Sequence, residues 1–140
     1  MLRASSPGNP YNERSTVMQE INFHKTNECN EAITIIADER DEQYGNASHS
    51  YTLTFIDKEG REAQIGVDFQ RGPIKEVGVN GVTNEALLAI LIDRMDGFQS
   101  GAFACDDNRE VLSCLLNAMR WLQERTKGRL ERGVEGTNIV

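Results

Sequence analysis

The sequence contains few of the residues on which enzymes and metal sites most often depend. Histidine occurs only at His24 and His49. A two-histidine phosphoesterase needs a hydroxyl residue two positions after each histidine, and His24 meets that pattern whereas His49 is followed by Tyr51. No serine or cysteine nucleophile stands at a recognisable spacing from a histidine, and neither a Walker loop nor a metal-ligand cluster is apparent. The sequence therefore argues against an enzyme and against a bound metal or other cofactor.

Cysteines and long apolar runs are also scarce. Cys29, Cys105 and Cys114 are an odd number of thiols at spacings that match no zinc or redox motif, so we expect them to be reduced and unpaired. No apolar run approaches the roughly 20 residues that span a bilayer, and the opening residues 1–8 lack the apolar core of a secretion signal. We therefore expect a soluble, intracellular protein without a membrane partner.

Basic residues are in the minority. Lysine and arginine number 15 against 22 aspartates and glutamates, which gives a net charge of −7. Such a field repels phosphate backbones, so DNA or RNA is not an expected partner. A chain of 140 residues with 39% hydrophobic residues fits one domain with tails.

The apolar pattern divides this chain into a tail, a β part and a helical part. Residues 1–20 show no apolar periodicity and are predicted to form a flexible N-terminal tail. Over 21–79, an alternating segment at 21–23 and a short β-branched run at 32–37 precede a loop at 38–50 and then an alternating pair of strands. The pair comprises Tyr51–Phe55 and Ala63–Phe69, and Lys58-Glu59-Gly60 supplies its turn.

Helical spacing follows, from residue 83 to residue 132. Apolar residues at three- and four-residue steps predict one helix over 84–98, capped by Thr83 or Asn84. A second helix is predicted from about 108 to between Arg125 and Arg132, with Asp107 and Glu110 as a capping box. The predicted fold class is therefore α+β, with a small, mostly antiparallel sheet followed by an antiparallel two-helix hairpin and a Gly-rich tail over 133–140. The C-terminal turns of the longer second helix must extend beyond the first helix, so we expect another part of the protein or a partner to pack against them.

The second helix reverses the local charge. Between residues 120 and 132 stand five basic and two acidic residues. Arg120 and Lys127 each have a glutamate four residues on, so we expect both to be neutralised in surface pairs. The other three arginines have no acid three or four residues away inside the helix and share one stripe; these are Arg125, Arg129 and Arg132. They suit a phosphate-bearing ligand, or they only complement the helix dipole.

Three neighbouring features leave alternatives open. The Gly78-Val79-Asn80-Gly81 turn is expected beside the end of the second helix, where free N–H groups would favour an anion. Trp121 either stacks on Arg125 or a base, or closes the edge of the core. The tail, with Gly136 and Thr137, either wraps an anion or is a glycine helix stop with a frayed end; an ordered tail would need a partner.

Several segments together resemble the Thoeris anti-defence sponges of bacteriophages, which share a helical hairpin with the phage proteins that sequester CBASS signals. The resemblance runs from about Ile21 to the end of the sequence. Its most specific parts are the Gly-Val-Asn-Gly turn and the Gly-Val-Glu-Gly-Thr tail. The segments that carry it are Gly72–Leu87, Phe98-Gln99, Phe103-Ala104-Cys105, Trp121-Leu122, Arg125-Thr126 and Arg132–Thr137.

The resemblance implies a non-enzymatic protein of the infected bacterial cytoplasm that binds and holds glycocyclic ADP-ribose. By the same resemblance, Phe98, Asn108 and Arg125 contact this ligand. The resemblance also implies a second site, which binds cyclic di- or trinucleotides. The residues of this site would be Arg129, Arg132, Gly136 and Thr137. The resemblance also implies homo-oligomers, as dimers that assemble into hexamers.

Two other functions stay open at this point. One is a phosphodiesterase or other hydrolase of such nucleotides. The other is a structural or assembly protein whose basic stripe contacts a protein partner. The residues alone point to an anion site and do not name its anion.

Overall fold

The computed structural model of the chain describes residues 18–140. Residues 1–17 of the predicted flexible tail lie outside the described residues. The described residues form two compact units, one of residues 18–41 and 46–66 and the other of residues 42–45 and 67–140. The expectation that residues 21–140 fold as one domain stays a prediction.

A four-stranded antiparallel sheet with strand order β1-β2-β3-β4 confirms the β part of the predicted α+β fold. In the central pairs, Ile35 lies opposite both Ile21 and Leu53. The first strand contains Gln19 and Glu20, so the predicted tail boundary at residue 20 is wrong by two residues. The strands are β1 (Gln19–Ile21), β2 (Thr34–Ala37), β3 (Ser50–Ile56) and β4 (Glu62–Asp68).

The turn between β3 and β4 forms where the sequence predicts it. Gly60 takes a φ of +80°, which a residue without a Cβ adopts easily. The Asp57 carboxylate accepts the backbone N–H groups of Glu59 and Arg61, each at 2.9 Å. These hydrogen bonds, with the Arg61 N–H first among them, hold the pKa of Asp57 below its ordinary value.

Three one-turn helices escape sequence analysis because a single turn shows no period. The first is α1 (Glu28–Glu31), whose last turn is capped by Ala32, so that β2 begins at Thr34 rather than at Ala32. A 3-10 helix, Glu42–Tyr44, lies within the predicted loop at 38–50. The third is α2 (Ile74–Val77), which follows directly on Pro73.

The helical hairpin is confirmed as α3 (Asn84–Gln99) and α4 (Asp106–Glu131), which pack against each other. The Thr83 hydroxyl caps α3 by accepting the N–H of Ala86 at 3.1 Å. The capping box predicted for α4 is wrong, because Asp107 is already helical and the N-cap is Cys105. With 26 residues against 16, α4 exceeds α3 by about 15 Å at about 1.5 Å per residue.

Little of the described chain is shielded from solvent. Ala37 is the buried hydrophobic residue of residues 18–140, and no side chain there is less than 2% exposed. On the hairpin, Ile90, Leu116 and Trp121 are 63%, 50% and 62% exposed. A single chain therefore leaves much of the apolar surface of α3 and α4 in water, where burial would be favourable.

Candidate functional site

Two aromatic rings meet at the end of α3. The rings of Phe98 and Phe103 lie 6.1 Å apart, edge to face at 83°. Phe103 is 74% exposed, and its carbonyl accepts the Nδ2 group of Asn108 at 3.1 Å. The structure thus brings Phe98 and Asn108, two of the predicted ligand contacts, to one end of the hairpin.

Side chains hold the loop that carries Phe103. The Gln99 amide oxygen accepts the N–H of Cys105 at 3.0 Å, and the Cys105 Sγ accepts the N–H of Asn108 at 3.4 Å. These bonds hold the backbone of the loop, on which the Phe103 ring lies beside the Phe98 ring.

Arg94 is a residue of this end that sequence analysis missed. Its Cζ lies 5.0 Å from the centre of the Phe98 ring, one helical turn away on α3. The signal was present in the sequence, because the residues three and four positions from Arg94 are Ile90, Leu91, Gly97 and Phe98, none of them acidic. Arg125 on α4 likewise has no acidic residue three or four positions away.

Arg125 lies at the other end of the hairpin. It is exposed, and within residues 18–140 its guanidinium makes no hydrogen bond or ion pair of the kind that Arg129 makes. Asn108 precedes it by 17 residues, which is about 25 Å along a helix at about 1.5 Å per residue. Within one chain, Arg125 is therefore too far from Asn108 to contact the same small ligand.

Arg129 does not fit the prediction that it lacks an acidic partner. Its side chain is only 9% exposed, and its Nε binds the Glu135 carboxylate at 3.0 Å. The helical spacing rule failed because Glu135 comes from the tail beyond the helix. The other bonds of the guanidinium run to the carbonyls of Val134, Thr137 and Ile139 at 2.9, 2.9 and 2.6 Å.

The C-terminal tail folds back around Arg129 rather than extending away from the helix. Gly133 and Gly136 take φ values of +71° and +75°, which turn the chain back toward α4. The Gly136 carbonyl accepts the N–H of Lys75 at 3.3 Å, and this places the tail against α2. The chain's own tail thus lies against the last turns of α4, and the binding of a partner or ligand by the tail stays a prediction.

Arg132 is held more loosely than Arg129. Its Nη1 donates to the carbonyl of Val140 at 2.9 Å, and its side chain is exposed. Of the predicted second site, Arg129, Gly136 and Thr137 therefore lie together, and Arg132 lies beside the last residues of the tail. Their contact with a ligand stays a prediction.

The surface pairs predicted on α4 do not form within the described residues. Arg120 donates to Asn117 Oδ1 at 2.9 Å and lies 4.8 Å from the Trp121 ring, rather than binding Glu124. Lys127 likewise makes no ion pair with Glu131 over residues 18–140. The four-residue spacing did not predict these ion pairs correctly, because an i,i+4 pair on a helix surface contributes only a few tenths of a kcal/mol. Trp121 stacks on Arg120, not on Arg125.

Part of the turn at 78–81 is already hydrogen-bonded inside the chain. The N–H of Gly78 donates to the Ile74 carbonyl and that of Asn80 to Gln70 Oε1, each at 2.9 Å. Just after the turn, the N–H of Val82 donates to the Asp68 carbonyl at 2.9 Å. These three donors are not available to an anion, and an anion site at the turn stays a prediction.

Gly81 lies where the backbone of another segment passes close by. A Cβ at this position would stand 2.4 Å from the carbonyl carbon of Phe69 and 2.7 Å from the Asp68 oxygen. Real Cβ atoms do not approach backbone so closely. The glycine is thus needed for the pairing of Phe69 with Val82.

A largely apolar groove of 570 Å³ lies between α3 and α4. It places the start of α3 beside Trp121, so the last turns of α4 extend beyond α3 rather than ending next to it. The residues that line the groove are Asn84, Leu87, Leu88, Leu91, Ala118, Trp121 and Leu122.

The described residues contain neither a metal site nor a membrane-spanning helix. Within residues 18–140, no group of three His, Cys, Asp or Glu side chains is arranged to hold a metal ion. No helix in the same range has the length and apolar character needed to cross a bilayer.

Comparison with known proteins relates the chain to a phage protein. No protein-family model matches the sequence. The chain is 43% identical over 95 residues to Thoeris anti-defense 1 of Bacillus phage SBSphiJ7. The match covers 68% of this chain and 66% of that relative, just under two thirds of its length. On this identity, the chain belongs to the Thoeris anti-defence family.

Proposed function

We propose that the protein binds a cyclic nucleotide immune signal of the cyclic ADP-ribose type and holds it without cleaving it. Its place of action would be the cytoplasm of an infected bacterium, where the bound signal no longer reaches the Thoeris effector. The observation that carries this proposal is the 43% identity with a protein named as a Thoeris anti-defence protein.

The chemistry of the hairpin supports a nucleotide as the ligand. Aromatic rings stack on bases, and Phe98 and Phe103 form such a surface with Phe103 largely exposed. One guanidinium group can bind a phosphate through two parallel N–H···O bonds, and the guanidinium of Arg125 is exposed. Asn108 adds an amide at the Phe98 end.

Two chains are needed if Phe98, Asn108 and Arg125 contact one ligand. A second chain that runs antiparallel to the first would bring its Arg125 to the Phe98 end, and two-fold symmetry would create two equal pockets. The exposed apolar residues of α3 and α4 favour such a dimer, because association would remove them from water. Assembly of dimers into hexamers is part of the same proposal.

A second site for cyclic di- or trinucleotides would lie at the tail. Arg132 is the exposed cation there, with the Thr137 hydroxyl and the Gly136 backbone as further polar groups. Because four of the five N–H donors of Arg129 already bind the tail, Arg129 would act at this site mainly by shaping the tail.

Calorimetry and thermal shift with cyclic ADP-ribose isomers and cyclic oligonucleotides test the proposal. Wild-type protein should bind at least one of them, and ligand recovered after heat denaturation should be chemically intact. Recovery of a hydrolysed product would indicate a phosphodiesterase. Absence of any binding would favour a structural protein whose basic residues contact another protein, and would refute the proposal.

A further inference from the structure

The Phe98 end of the hairpin contains an arginine without an acidic partner. Arg94 lies over the Phe98 ring, with Cζ 5.0 Å from the ring centre, and it is exposed. Within residues 18–140 the side chain makes this cation–π contact and no hydrogen bond or ion pair. A guanidinium in that state keeps all its N–H donors free for a ligand.

The acidic residues nearby do not neutralise Arg94. Asp93 and Asp96 are one and two positions away in α3, so they project from other faces of the helix. Asp106, at the start of α4, binds Arg109 instead, with 2.9 Å between Nη1 and Oδ1. Of these two arginines at the same end, Arg109 is paired and Arg94 is not.

The contact with Phe98 is easily exchanged for a stronger one. A cation–π contact at an exposed site is weak, whereas a guanidinium binds a phosphate through two charge-assisted hydrogen bonds. Movement of Arg94 off the ring would also uncover the face on which a base can stack. The two events therefore favour each other when a ligand has a base and a phosphate within reach.

We propose that Arg94 binds a phosphate of the nucleotide whose base stacks on Phe98. This inference rests on the proposed function and extends it, because it assigns a phosphate contact to the chain that also supplies Phe98. An ADP-ribose ligand has two phosphates, so Arg94 and an Arg125 from a second chain can each bind one.

The matched variants are Arg94→Gln and Arg109→Gln, which remove the same charge at the same end of the hairpin. Calorimetry with the cyclic ADP-ribose isomer that wild-type protein binds should show affinity 10- to 100-fold lower for R94Q, about the loss of one charge-assisted contact. R109Q should stay within about threefold of wild type. Equal melting temperatures would show that both variants are folded.

A second measurement separates phosphate binding from support of the Phe98 ring. Between about 50 and 300 mM NaCl, wild-type affinity should fall more than R94Q affinity, because salt screens a charge contact that R94Q lacks. Weaker binding by R94Q with unchanged salt dependence would overturn the phosphate role, as would R94Q affinity equal to that of R109Q. Failure of wild-type protein to bind any isomer would instead overturn the proposed function, and this inference with it.

Discussion

The guanidinium of Arg129 binds the carboxylate of Glu135 at 3.0 Å and thereby joins the last turns of α4 to the tail. Three carbonyls of the tail complete the contacts of this side chain. A cation that is 7% exposed and makes four hydrogen bonds to one segment stabilises that segment. Arg129 therefore makes more side-chain contacts with the tail than Arg132, whose Nη1 binds the Val140 carbonyl.

Arg129→Ala should destabilise the protein. The substitution removes a donor from the Glu135 carboxylate and from three carbonyls, of which the Val134 carbonyl keeps the N–H and hydroxyl of Thr137. The expected loss is about 2–4 kcal/mol in the free energy of unfolding. Urea denaturation at one fixed protein concentration measures this loss. Arg132→Ala is the control, since Arg132 is exposed, and should lose less than about 1 kcal/mol. Equal stability of both variants would contradict the tail-holding role.

Arg125→Ala should weaken ligand binding and leave stability unchanged. The expected loss is about 1.5–3 kcal/mol of binding free energy, the scale of a hydrogen bond to a charged group. Arg120→Ala is the matched control on the same helix, because Arg120 is already engaged with Asn117 and Trp121. Calorimetry that gave both variants the same affinity would show that exposure without a partner does not mark the binding arginine.

Mixing two inactive variants tests whether the pocket lies between chains. Phe98→Ala and Arg125→Ala should each bind poorly, because each removes one contact from both pockets of a dimer. After subunit exchange, a mixed dimer contains one intact pocket, so binding should partly recover. No recovery despite exchange confirmed by mass spectrometry would place the whole site within a single chain.

The exposed face of the hairpin should be an interface between copies of the chain. Light scattering at micromolar concentration should report a mass at least twice the 15.7 kDa of the chain. Trp121→Glu should shift the protein toward the monomer, because it places a charge where an apolar side chain is 62% exposed in one chain. Gln123→Glu adds the same charge on the same helix and should leave the mass unchanged.

The sequence was informative where a pattern repeats over several turns or residues. Apolar spacing located α3 and α4, and alternation located β3 and β4, because those periods reflect which side chains can be buried together. It failed at α2, where one turn has no period, and at Cys105, a residue type that rarely caps helices.

The candidate site was predictable only in part for a similar reason. Phe98 and Asn108 flank a short loop, so their proximity follows from the order of the helices. The partner of Arg129 was not predictable from helical spacing, because Glu135 returns to the helix through a turn at Gly133. Arg94, like Arg125, has no acidic residue three or four positions away in its helix, so its lack of an acidic partner is visible in the sequence.

The close approach at Gly81 has a consequence for natural variation in this family. A side chain there would collide with the backbone of Phe69, so selection should retain glycine at this position in relatives that keep the same strand contact. Val79, two residues earlier and 79% exposed, is under no such constraint from its own chain. A substitution scan scored by phage survival should therefore find position 81 intolerant and position 79 permissive within one short turn.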